Sequence, residues 1–187
     1  MNYQNLLCVG DSQTFGARSY GCYPLYLGRF LSERSPYDWR PINRSTNGHT
    51  ARDLWFRVNY ELEVIQDTYQ ACVLIGTNDV GCNTDPEIFN EYVRQSLRAF
   101  AIRKYKAVYF AEIPPIFPDG HVFFPKDCAR RREALNERLA ALVSESAIAR
   151  WVELPNLTRE CYEDAVHFNE TGNRRVAESF AEAILSL

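Results

Sequence analysis

A chain of 187 residues, 46% hydrophobic and 24% charged, has the make-up of one soluble globular domain, large enough to bury about 70% of its unfolded surface. The formal net charge of −3 argues against a nucleic-acid binder, which would show a basic face. No run approaches the roughly 20 apolar residues of a membrane span, and no export signal opens the chain, so a cytoplasmic protein without membrane contact is expected.

Strands and helices alternate along the sequence. An apolar run at Leu6–Val9 predicts a first strand, followed by a Gly-rich loop and a helical pattern around Tyr23–Glu33. Trp39–Asn43 is a second strand, and Thr50 is placed to cap a helix running to about Gln66. Ala71–Ile75 reads as a fully buried strand. Pro86 starts a helix carrying Ile88, Phe89, Tyr92, Val93, Leu97 and Phe100 at helical spacing. Ala107–Ala111 is the fourth strand, stopped by Pro114 and Pro115. An irregular stretch then runs from Ile113 to about Lys126, with helix resuming near Asp127 and continuing to about Ser146. Ala149–Leu154 is a fifth strand, and a last amphipathic helix ends at Leu187. Five strands alternating with helices predict an α/β chain, a five-stranded parallel sheet covered on both faces, with no domain boundary over 1–187.

The chemistry-bearing residues fall at the predicted strand ends. Ser12 follows the first strand, Asn47-Gly48 the second, Gly76-Thr77-Asn78-Asp79 the third, and Asp164-Ala165-Val166-His167 the fifth. In a parallel sheet these loops emerge on one edge and converge on one crevice. Serine, histidine and aspartate are the three side chains that make a hydroxyl nucleophilic at neutral pH. Ser12 is therefore the expected nucleophile, His167 the base and Asp164 its orienting acid. The backbone N–H groups of Ser12 and Gly48 and the side-chain amide of Asn78 are the expected oxyanion donors, Gly48 because the lack of a Cβ lets backbone approach substrate closely. Taken singly, each has a plain structural reading: Ser12 as a helix cap, Asp164 and His167 as a surface pair, Asn78 as a turn former. Asp11 reads as a loop support rather than an acid–base group.

These blocks resemble the SGNH, or GDSL-type, hydrolases, whose hallmark Ser, Gly, Asn and His lie in four separated blocks. Here they are Gly10-Asp11-Ser12-Gln13-Thr14-Phe15-Gly16, Asn43 to Thr50 with Gly48, Gly76-Thr77-Asn78-Asp79, and Asp164 to Gly172 with His167, in order. The resemblance covers residues 6 to about 180 and implies a three-layer α/β/α, flavodoxin-like fold and metal-independent hydrolysis of esters or thioesters. The G-x-S-x-G elbow of the α/β-hydrolases is absent, since Thr14 stands where its second glycine would be. Phe168 departs from the family pattern, which more often has proline or leucine after the histidine.

A domain without large insertions favours a small-molecule substrate with a short acyl chain, acetyl above all. Phe117, Phe123 and Phe124 are candidates for an apolar acyl wall or for ordinary core. Arg18, Tyr20 and Tyr23 are candidates for contact with a polar leaving group. The rival readings are an acyltransferase or thioesterase with the same three side chains, and a module that binds a ligand in the same crevice without catalysis. No cofactor is expected. His49 and His121 read as solvated loop residues without metal-ligand partners. The six cysteines (Cys8, Cys22, Cys72, Cys82, Cys128, Cys161) form no C-x-x-C pair and are expected as free thiols, with Cys161 notable for preceding Asp164 by three residues.

Overall fold

The computed structural model describes residues 2–118 and 123–186. Five parallel strands make one sheet: β1 (Tyr3–Gly10), β2 (Asp38–Asn43), β3 (Thr68–Leu74), β4 (Ala107–Ala111) and β5 (Ala149–Val152), in the order β2-β1-β3-β4-β5. The strands match the predicted ones in kind, β4 at both ends and the others to within three residues at each end. Among the described residues seven α-helices accompany them: α1 (Ser12–Phe15), α2 (Tyr23–Arg34), α3 (Ala51–Val64), α4 (Thr77–Cys82), α5 (Pro86–Ile102), α6 (Cys128–Ser144) and α7 (Glu170–Leu185). The sequence pattern misses α1, α4 and the 3₁₀ turn Arg159–Cys161, because segments this short show no helical periodicity.

Alternation along the strands sorts the core into two layers. Leu7, Val9, Ala71, Val73, Val108 and Phe110 point to the face covered by α3, α5 and α6. Their strand neighbours Leu6, Cys8, Cys72, Leu74 and Tyr109 point to the face covered by α2 and α7. Three of the longer helices are started by a side-chain cap. Thr50 and Asp53 form a reciprocal capping box on α3, Asp85 caps α5 with Pro86 behind it, and the Asn169 side chain caps α7 by accepting from the Gly172 N–H.

The order 2-1-3-4-5 places a switch point between β1 and β3, where the chain leaves β1 towards one side of the sheet and arrives at β3 on the other. Their carboxyl ends approach closely. Gly10 pairs with Leu74, and a Cβ on Gly10 would lie 2.1 Å from the Leu74 carbonyl oxygen and 2.4 Å from Thr14 Oγ1. Gly10→Ala must therefore push backbone apart, and we expect a loss of about 1–3 kcal/mol in stability, read from the urea midpoint. An unchanged midpoint would contradict this close approach.

Candidate active site

Ser12 opens α1 directly after β1, at the switch point, and its helix is capped by Asp11 rather than by itself. The buried Asp11 carboxylate accepts the Gln13 N–H at 2.9 Å, and Gly16 ends the short helix in the left-handed region at φ +86°. This geometry holds Ser12 nearly buried with its hydroxyl towards His167.

His167 arrives from the segment between β5 and α7. Its Nε2 lies 3.1 Å from Ser12 Oγ and its Nδ1 lies 2.8 Å from Asp164 Oδ2. The second oxygen of Asp164 accepts the backbone N–H groups of Val166 at 3.0 Å and His167 at 2.8 Å, so one carboxylate orients both the ring and the loop that carries it. Partial burial alone would raise this carboxyl, but those N–H groups and the imidazole outweigh it and hold it below the ordinary aspartate value. An ionised Asp164 fixes the imidazole proton on Nδ1 and leaves the Nε2 lone pair facing the serine hydroxyl.

The histidine segment is tied down by bonds that the sequence does not announce. The buried Gln13 side chain donates to the Val166 carbonyl, linking the Ser12 helix to the histidine loop. The Phe117 N–H donates to the Ala165 carbonyl at 2.9 Å, and the Glu163 N–H to that of His167 at 2.8 Å. Tyr162 and Phe168 form an antiparallel bridge, with Phe168 fully in the core.

Gly48 and Asn78 border the same open cleft, of about 580 Å³, together with Ser12, Phe15, Thr77, Phe123, Phe124, Val166 and His167. Gly48 has φ +78°, and a Cβ there would meet nothing within 4 Å. Its backbone conformation, rather than a close packing contact, is what favours glycine at this position. The Asn78 amide donates one N–H to the His49 carbonyl at 3.0 Å, which orients the rest of the group.

Other expectations are revised. Tyr23 is fully buried and stacks on Phe180 at 5.0 Å, so it cannot reach a leaving group. Phe117 does not line the cleft: its ring packs on Tyr162 at 5.0 Å, beside the core layer under α7. Phe123 and Phe124 do line it, meeting edge to face at 4.8 Å, and Phe124 also belongs to the core. Arg18 borders the cleft with its Nε engaged 3.1 Å from Asp164 Oδ2, the oxygen that also meets His167. Beyond Arg18 a second open cavity of about 660 Å³ is lined by Ser19, Tyr20, Glu163, Asn169, Glu170 and Thr171. The six cysteines are free thiols, and Cys161 is buried beneath the site. His49 is half-buried, and His121 lies outside the described residues. Among the described residues no group of three or more His, Cys, Asp or Glu is arranged to hold a metal ion, and no helix is long and apolar enough to cross a membrane.

The sequence matches the GDSL-like Lipase/Acylhydrolase family over residues 8–175. The chain belongs to this family. That makes it a carboxylic ester hydrolase with small-molecule ester substrates. Solved structures share its fold: TesA, at 18% identity with 97% of this chain and 98% of that chain covered and a TM-score of 0.78. The acetylxylan esterase Axe2 from Geobacillus stearothermophilus follows at 22% identity, 98% and 94% coverage and a TM-score of 0.75. The Clostridium thermocellum family 3 carbohydrate esterase shows 15% identity, 99% and 96% coverage and a TM-score of 0.77. No curated protein matches the sequence.

Two buried carboxyls lie beside this esterase's site. Burial, reinforced by nearby Asp79, pushes Asp11 up to about 7 against the lowering effect of the Gln13 N–H. Burial likewise pushes Asp79 up to about 6, although its carboxylate accepts the Ala51 N–H at 2.9 Å. A carboxyl whose pKa rises from 3.8 to about 7 on folding holds its proton more tightly in the folded state, so stability falls as pH climbs between those values. Asp11→Asn removes this dependence. Relative to wild type, its urea midpoint should shift in the variant's favour between pH 5 and pH 8. An equal difference at both pH values would contradict a raised Asp11.

Proposed function

We propose that this esterase hydrolyses short-chain acyl esters, acetyl esters first, through a covalent acyl-enzyme on Ser12. The observation that carries the reading is the continuous hydrogen-bond chain from Ser12 Oγ to His167 Nε2 at 3.1 Å and from His167 Nδ1 to Asp164 at 2.8 Å. His167 takes the serine proton as Oγ attacks the acyl carbon, and the tetrahedral intermediate forms with its oxyanion towards the N–H groups of Ser12, Gly48 and Asn78. The protonated imidazole, stabilised by Asp164, gives the proton to the departing alkoxide oxygen. Water then enters with His167 as base, attacks the acyl carbon and releases the carboxylic acid, returning Ser12 to its hydroxyl form.

The preference for a short acyl group rests on the cleft. Among the described residues its apolar lining is Phe15, Ala17, Phe123, Phe124 and Val166, interleaved with the polar catalytic groups, and it is open to solvent. This surface suits a methyl or a few methylenes better than a long chain, at roughly 0.8 kcal/mol per buried methylene. The polar cavity beyond Arg18 supports a hydrophilic alcohol on the leaving-group side, which must lie next to His167 to receive its proton.

Hydrolysis of p-nitrophenyl acetate, butyrate and octanoate tests this reading. Ser12→Ala and His167→Ala should each lower kcat by at least about 10,000-fold with the fold intact, and Asp164→Asn should lose less than either. Wild-type kcat/KM should be greatest for the acetate. Retained activity in Ser12→Ala would overturn the mechanism, and a rising profile towards octanoate would overturn the short-chain assignment.

A further inference from the structure

A Cβ on Gly48 would meet nothing within 4 Å, so side-chain packing does not hold this position, yet an oxyanion donor must be held to a fraction of an ångström. The turn runs from Thr46 to His49, closed by the His49 N–H donating to the Thr46 carbonyl at 3.4 Å, with Gly48 at its third position in the left-handed region. Rigidity must therefore come from its corners. The last corner is held by Asn78, which donates to the His49 carbonyl at 3.0 Å.

The first corner is held by a charge network that the mechanism above does not use. Glu61, on the inner side of α3, has a carboxylate only 2% exposed. It accepts Arg44 Nε at 2.5 Å and Arg57 Nη2 at 2.5 Å, one guanidinium from the segment after β2 and one from its own helix. Arg57 Nη1 donates to the Thr46 hydroxyl, and Arg57 Nη2 also reaches the Arg44 carbonyl at 3.4 Å. The backbone on either side is fixed to β1, with the Arg44 N–H on the Cys8 carbonyl at 2.8 Å and the Thr46 N–H on that of Gly10 at 3.1 Å. A buried carboxylate is tolerated only when paired and hydrogen-bonded, and Glu61 has a partner on each oxygen.

We propose that Glu61, Arg57 and Thr46 are positioning residues for catalysis: the buried Glu61 locks the Arg57 guanidinium, whose second nitrogen grips Thr46 and so fixes the Gly48 N–H where the oxyanion develops. A guanidinium suits this task because its rigid fork spans two acceptors at once, whereas an ammonium offers a single point of charge. The inference rests on the reading of Gly48 and Asn78 as oxyanion donors.

Two mild variants separate positioning from simple structural support. Thr46→Val deletes only the gripped hydroxyl and leaves both ion pairs of Glu61 in place. Arg57→Lys keeps the charge opposite Glu61 but loses the fork. Both should lower kcat on p-nitrophenyl acetate by about 10- to 100-fold with KM within about twofold. Affinity for a tetrahedral mimic, an alkyl boronic acid, should weaken by the same factor, while the melting temperature of Thr46→Val stays close to wild type. Asn78→Ala is measured alongside and should lose at least as much. Wild-type kcat and boronate affinity in Thr46→Val and Arg57→Lys, with Asn78→Ala impaired, would overturn the positioning role and leave the esterase reading standing. Wild-type values in all three would overturn the oxyanion-hole assignment and the positioning role with it.

Discussion

Parallel strands that are hydrogen-bonded side by side send their carboxyl ends to the same edge, and here β1 and β3 do so in close approach at Gly10 and Leu74. Gly10 faces Leu74 with no room for a side chain, and the Asp11 N–H still reaches the Leu74 carbonyl at 3.4 Å. The Ser12 helix α1 and the Asn78 helix α4 are thus launched from adjoining positions. The same ladder runs on past β2, where Arg44 and Thr46 donate to Cys8 and Gly10 and bring the Gly48 turn to the third side of the crevice. Ser12, Gly48 and Asn78 owe their proximity to backbone pairing before any side chain acts.

The histidine comes from elsewhere. No strand aims it, so its place depends on a set of local and long-range polar contacts: Asp164 folding back on the Val166 and His167 N–H groups, Gln13 on the Val166 carbonyl, and Phe117 on that of Ala165. Beneath it, Phe168 and Cys161 anchor the segment in the layer under α7. His167 therefore rests on a packed floor within a polar frame, which its hydrogen bonds to Ser12 and Asp164 complete.

Much of this was legible in the sequence, for identifiable reasons. The strands show as apolar runs, and Ser12, Asn78, Asp164 and His167 stand in short motifs whose spacing is local. Asp164 and His167 are three residues apart, so one turn suffices to join them. The short helices α1 and α4 were not legible, because four to six residues carry no period. Nor were Gln13, Arg57 and Glu61: their partners are set by tertiary packing, and a glutamate four residues after an arginine on an amphipathic helix reads as an exposed ion pair, whereas Glu61 is buried. Phe117, Phe123 and Phe124 looked alike in one Pro-rich stretch, and only the path of the backbone separates the first, on Tyr162, from the two that reach the cleft. Tyr23 lies close to Ser12 in sequence, but as the first residue of α2 it is turned into the core against Phe180.

Acyl transfer to Ser12 depends on its activation by His167. Intact-protein and peptide mass spectrometry after exposure to a fluorophosphonate tests this most directly, since only an activated hydroxyl reacts quickly. A single adduct is expected on the peptide carrying Ser12, absent from Ser12→Ala and strongly slowed in His167→Ala. No adduct in the wild type, or an adduct on another residue, would contradict it.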